Sequence, residues 1–112
     1  MRNMAVRVTV ERRSCCVYYH RAVELIGKRW SGAIVAVLLD GPLHFSEIRR
    51  LVPEISDRLL SERLKELEAE GLVERRVIDG SPVRTEYSLT RKGEALEPSV
   101  RTLQAWAVNY LR

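Results

Sequence analysis

Cys15 and Cys16, the two thiols of this chain, stand side by side in the stretch Ser14-Cys15-Cys16-Val17-Tyr18-Tyr19-His20. A cysteine does chemistry as its thiolate, a form favoured by positive charge and by a helix N-terminus. Arg12, Arg13, His20 and Arg21 lie close by, and a helical pattern begins at Val17. Three readings of the pair stay open. Either sulfur can be inert packing. Either can be a switch for oxidants or electrophiles; neighbouring cysteines close a strained ring, so oxidation would join two subunits or add a small thiol. Or Cys16 and His20, four residues apart on one helix face, can share a metal with Cys15 or a partner subunit, although this spacing is a weak metal signature and assigns no ligand set.

Enzymatic chemistry finds no support. There is no glycine-rich phosphate loop and no catalytic metal motif. His20 and His44 have no nucleophile to serve apart from Cys16, which lacks a setting for cysteine catalysis. No cofactor is expected.

The 112 residues suffice for one domain with one core, and 46% apolar with 30% charged residues is an ordinary globular balance. A single domain of this size is marginal alone, so an obligate dimer is a live option. The net charge of +4 permits an anionic partner. The start, MRNMAVRVTV, lacks the apolar core of a secretory signal, and the longest apolar run, Ala33–Leu39, is far too short to span a membrane. A cytoplasmic protein with no membrane contact is expected, its thiols held reduced.

The elements that must position these residues read as follows. Residues 1–14 form a basic arm, and 15–112 a single domain. The pattern predicts a helix over Val17–Ile26 stopped by Gly27, then a nearly all-apolar central helix over Trp30–Leu39 ended by Asp40-Gly41-Pro42. Leu43–Phe45 is a short strand, with His44 near the core edge. Ser46 is placed as N-cap of a short helix over Glu47–Leu51, which Pro53 ends. Ser56 caps a longer helix over Asp57–Glu70, stopped by Gly71, with Leu60, Leu64 and Leu67 as its buried stripe. Leu72–Ile78 and Arg84–Leu89 alternate as two strands around the turn signal Asp79-Gly80. Thr90 caps a short helix over Arg91–Leu96, and Pro98 opens a last helix running to about Leu111.

Two helices joined by a tight turn and followed by a hairpin make a winged helix-turn-helix, mostly α with a small β wing. Such a unit lays its second helix in the major groove. Opposite the leucine stripe stand Arg58, Ser61, Glu62 and Lys65. Arg58 and Ser61, in the first two turns, are placed to read base edges. Arg63 and Lys65 suit phosphates, as do Ser46 and Ser56 at the helix starts, and Arg75, Arg76 and Arg84 on or near the hairpin are candidates for backbone or minor-groove contact. Glu62 would accept from a cytosine amine or pair with Arg58. Lys28 and Arg29 are further candidates for the DNA backbone. Between Ser46 and Arg84 there are eight Lys/Arg and nine Asp/Glu, so the DNA reading rests on placement and not on net charge. A solvated amphipathic helix is the bland alternative for the second helix alone; the coincidence of caps, turn and hairpin favours DNA.

The stretches HRAVELIGKRW, LLDGPLHFSEIRRLVPEISDRLLSERLKELEAEGLVERRV and EYSLTRKGEAL resemble the HxlR family of winged helix-turn-helix transcription regulators, relatives of the MarR type. The likeness covers roughly residues 16–97. It implies a homodimer on double-stranded DNA, a recognition helix at Asp57–Glu70 and a wing at Ile78–Val83. It implies an interface built from the terminal helices, and Val100, Leu103, Trp106, Ala107 and Tyr110 offer an apolar stripe for it. It also implies a sensing cysteine just before the first helix, a position that Cys16 matches and to which Cys15 is additional; Val17 stands where the family often has proline. Trp30, Tyr18, Tyr19 and Trp106 are candidates to line a small-molecule effector cavity between the dimer helices, with core and interface packing as the commoner role of such aromatics. A protein-interaction module on the same fold, or a metal- or small-molecule-responsive regulator, is the alternative.

Overall fold

The computed structural model describes residues 16–112. The order is α1 (Val17–Ile26), α2 (Ser31–Leu38), β1 (Leu43–His44), α3 (Phe45–Leu51), α4 (Asp57–Ala69), β2 (Val73–Ile78), β3 (Arg84–Leu89), α5 (Arg91–Glu94) and α6 (Glu97–Tyr110). The expected winged helix-turn-helix is present, with one addition. The short strand β1 joins the hairpin, giving an antiparallel sheet in the order β1-β3-β2. Leu43 pairs with Tyr87 and His44 with Glu86, while Arg75 pairs with Tyr87 across β2 and β3.

The core lies where α2, α3 and α4 meet the root of this sheet. Ile34, Val35 and Leu38 of α2, Ile48 of α3, and Leu60, Leu64 and Leu67 of α4 are buried together with Val52, Ile55, Leu72, Val73 and Tyr87. Each such aliphatic side chain withdrawn from water contributes about 1.5–3 kcal/mol against the chain entropy. The three α4 leucines fall on one stripe, so their burial fixes which way the helix turns its other face.

Local signals set the limits of α4. The Ser56 hydroxyl accepts from the Leu59 N–H at 3.1 Å. At the other end Gly71 takes φ +79°, a conformation that favours glycine. The Leu72 N–H then reaches the Leu67 carbonyl at 2.9 Å and the Gly71 N–H the Glu68 carbonyl at 3.0 Å, the paired bonds of a Schellman stop. Thr90 caps α5 as expected, its hydroxyl accepting from the Gly93 N–H at 3.1 Å. The Lys92 ammonium donates to the Glu70 carbonyl at 2.7 Å, satisfying the end of α4 from outside the helix.

The start of α3 differs from the sequence expectation. The helix begins at Phe45, with His44 as the capping residue and Glu47 in the third position, its carboxylate accepting from the His44 N–H at 2.7 Å. Ser46 lies inside the first turn and is exposed. Pairing of His44 with β3 holds it extended, so the helix can start at the next residue. Trp30, expected inside α2, instead precedes it in a left-handed conformation at φ +77°. Its half-buried ring packs on the core, and the Arg29 guanidinium lies 5.0 Å from the ring centre.

Candidate nucleic-acid interface

With Leu60, Leu64 and Leu67 sealed, α4 turns Arg58, Glu62 and Lys65 to solvent, and Ser61 sits half-buried between them. The N-terminal turn of α4 is held against α3 by an ion pair between Arg49 Nε and Asp57 Oδ1. Both groups are substantially exposed, so the pair positions the turn more than it stabilises it.

Ion pairs sort the bases of the helix-turn-helix and wing into two groups. Arg49, Arg63 and Arg76 are engaged, with Asp57, Glu66 and Glu86 respectively. Arg50, Arg58, Lys65, Arg75 and Arg84 form no ion pair with any described residue and are exposed. These five are the cations left for an outside anion.

Arg63 departs most from its expected role. Its side chain is 15% exposed. Its Nε donates to the Arg29 carbonyl at 3.0 Å, and its Nη1 lies 3.3 Å from Glu66. Glu66 also meets Lys28 at 3.3 Å. Arg63 therefore braces α4 to the turn between α1 and α2 and is not presented as a phosphate ligand. Lys28 and Arg29 are occupied in the same assembly, one by Glu66 and the other over Trp30.

The hairpin register separates two residues that the sequence reading grouped together. Arg75 shares a sheet face with Val73 and Tyr87, and it joins Ser61, Lys65 and Glu68 around a cleft between α4 and the sheet. Arg84 alternates to the other face, at the far end of the strand, and Arg76 pairs with Glu86 at 3.3 Å on that face. Burial pushes the Tyr87 phenol above its ordinary pKa; Arg75 draws it down and Glu68 adds to the rise. Three residues near this surface were missed in the sequence. Arg49 and Arg50 lie with Ser46 and Asp57 around a shallow depression where α3 meets α4, and Tyr87 lines the α4–sheet cleft. The Arg49-Arg50 doublet was the available signal; Tyr87 gave none, because alternation marks it only as core.

The apolar stripe of α6 divides. Val100 packs on the core of its own chain and so leaves the expected interface set, because α6 must first dock on α2. Ala107 is half-buried. Leu103, Trp106 and Tyr110 stay uncovered at 63%, 50% and 72% exposure, with the Trp106 and Tyr110 rings 5.8 Å apart. On α1, which buries no residue, Val17, Tyr18, Tyr19 and Val23 are likewise exposed. The aromatic set expected around an effector is dispersed within this chain: Tyr18 and Trp106 line separate depressions, and Trp30 packs on the core.

Cys16 is the half-buried N-cap residue of α1, its carbonyl accepting from the His20 N–H at 2.9 Å. The His20 ring pairs instead along the helix, 3.5 Å from Glu24. Cys15, Arg12, Arg13 and the arm at 1–14 lie outside the described residues. Among the described residues no three His, Cys, Asp or Glu side chains are grouped to hold a metal ion, and no helix is long and apolar enough to cross a membrane.

The model of the HxlR-like helix-turn-helix family matches residues 25–112. The chain belongs to that family. Relatives in Bacillus subtilis include the HTH-type transcriptional regulator YvaP, 50% identical over 96 residues that make up 86% of this chain and 89% of YvaP. YodB of the same organism, also an HTH-type transcriptional regulator, is 49% identical over 92 residues, 82% of each chain. The reduced form of YodB superposes with a TM-score of 0.76 at 46% identity, covering 87% of this chain and 95% of that one. YodB has also been solved diamide-treated and quinone-bound. The redox regulator HypR in its reduced form superposes at 0.78, with 38% identity over 82% of this chain and 91% of HypR. This HxlR-type chain is a DNA-binding transcription regulator and not an enzyme.

Proposed function

We propose that this regulator works in the cytoplasm as a homodimer on a pseudo-palindromic operator, in the manner of a repressor, with residues 15–112 as one domain behind a basic N-terminal arm. The observation that carries the reading is the outward face of α4. Arg58, Ser61 and Lys65 stand uncommitted over a leucine stripe that holds the helix in place, and Ser61 and Lys65 share a cleft with Arg75. Arg58 is offered to a base and Lys65, Arg75 and Arg84 to phosphates, with Ser46 and Ser56 at the starts of the two helices. Glu62, which lies 3.8 Å from Arg63, is the acid on that face.

The dimer is supported by the uncovered apolar side chains of α1 and α6. Two copies joined there would present recognition helices to half-sites about one helical turn, ~10 bp, apart. Cys16 is the proposed sensor of oxidants or electrophiles. It caps the first turn of α1, and the redox regulator HypR and the quinone-bound YodB share the fold. Modification there would act on an arm of the dimer.

Fluorescence anisotropy with duplexes from the region upstream of the gene tests the reading. Affinity is expected to fall steeply with salt as counterions are displaced, and Arg58→Ala to cost ~1–3 kcal/mol of site preference. No binding at low salt refutes the function; an unchanged site preference removes Arg58.

A further inference from the structure

Tyr87 is the best-buried titratable side chain near the DNA face. It is 8% exposed, with its ring 6.5 Å from that of Phe45. Its hydroxyl makes no hydrogen bond to any described residue. Yet among the described residues no buried side-chain oxygen or nitrogen is sealed without a partner. The hydroxyl therefore reaches solvent, and the space Tyr87 lines is the cleft of about 390 Å³ between α4 and the sheet. Lys65 and Arg75 flank that cleft with no ion pair, and Ser61 adds a second hydroxyl. Two cations and two hydroxyl donors around one concavity match the oxygens of a phosphodiester. Glu68 is the acid on the wall. It opposes an anion, and so predicts a substitution of opposite sign.

We propose that the α4–sheet cleft seats one backbone phosphate of the DNA, with the Tyr87 hydroxyl donating to a phosphate oxygen from its floor and Lys65 and Arg75 closing on it from either side. The assignment rests on the DNA-binding reading and adds a residue and a site to it. A phosphate held between helix and wing fixes how deeply α4 enters the groove without reading a base, so Tyr87 acts on every sequence alike.

Tyr87→Phe keeps the ring packed against Phe45 and removes only the hydroxyl. It is expected to leave the thermal midpoint unchanged and to weaken binding about tenfold or more, the effect of one hydrogen bond to a charged acceptor. The loss should be the same for operator and random duplex. Glu68→Gln should tighten binding to both. A duplex carrying one neutral methylphosphonate per half-site, at the position seated in the cleft, should bind wild type and Tyr87→Phe equally. Equal binding of the two proteins to unmodified DNA overturns the proposal, as does a scan in which no single methylphosphonate removes their difference. If inorganic phosphate alone stabilises wild type but not Tyr87→Phe, while DNA affinity ignores the substitution, the cleft serves a free anion and the DNA assignment falls. Failure of wild type to bind DNA at all removes the regulatory reading and the cleft with it; equal binding by both proteins removes the cleft alone.

Discussion

Arg63→Met separates a brace from a phosphate ligand. Methionine retains the apolar stem and deletes the guanidinium. In the folded chain that group donates to the Arg29 carbonyl at 3.0 Å and pairs with Glu66, with only 15% of the side chain exposed. Little water can replace these bonds. A hydrogen bond to a charged group is worth about 1.5–3 kcal/mol, and Glu66 keeps Lys28 at 3.3 Å, so no carboxylate is left stranded. The expected loss is therefore about 1.5–3 kcal/mol, read as a lower urea midpoint at constant m-value. Lys65→Ala on the exposed face should stay within about 0.5 kcal/mol of wild type. DNA binding should separate the pair the other way, Lys65→Ala reducing the salt slope by about one while Arg63→Met leaves it unchanged. A stable Arg63→Met protein with a reduced salt slope would show that Arg63 leaves its brace to hold a phosphate.

Gly93→Ala would drive a Cβ into the Leu72 carbonyl oxygen, so α5 must move off the segment that links α4 to β2; a loss of about 1–3 kcal/mol is expected in thermal or urea melts, and an unaltered midpoint would mean the contact yields freely. Trp106→Glu, on the uncovered face of α6, should leave the fold intact by circular dichroism and shift sedimentation toward monomer; a persistent dimer would move the interface elsewhere. Cys16→Ser should bind DNA as wild type does and lose its response to diamide or quinone, whereas an undiminished response would exclude Cys16 as the sensor.

The parts of this fold legible in the sequence are those decided within one helical turn. The i, i+4, i+7 leucines of α4, the Ser56 and Thr90 caps and the Gly71 stop all act on neighbours a few residues away, and each is found where it was expected. The start of α3 was not legible. Ser46 is a good capping residue, but His44 is held extended by its pairing with Glu86, a partner that local pattern cannot supply. Arg63 was misread for the same kind of reason. Helical periodicity places it beside the outward face, and only the packing of the α1–α2 turn against α4 shows that its flank is covered. Arg75 and Arg84 both belong to the hairpin, but their opposite faces follow from the strand register and not from the turn signal between them.

Net charge shows how far composition can stand from function. The stretch from Ser46 to Arg84 carries more acids than bases, which on a uniform sphere would repel DNA. The acids are not uniformly placed. Asp57, Glu62 and Glu66 lie within ion-pair distance of Arg49 or Arg63, and Glu47 accepts at the start of α3. Glu68 and Glu70 crowd the C-terminal end of α4, with the Lys92 ammonium against the Glu70 carbonyl. Arg58 in the first turn of α4, and Lys65 and Arg75 at the cleft beside its later turns, remain uncommitted. Screening limits the reach of an exposed charge to about 8 Å at physiological salt. A phosphate in that cleft therefore meets two uncommitted cations, Lys65 and Arg75, against one acid, Glu68, and the sign of the local field is set by which side chains the fold has already paired.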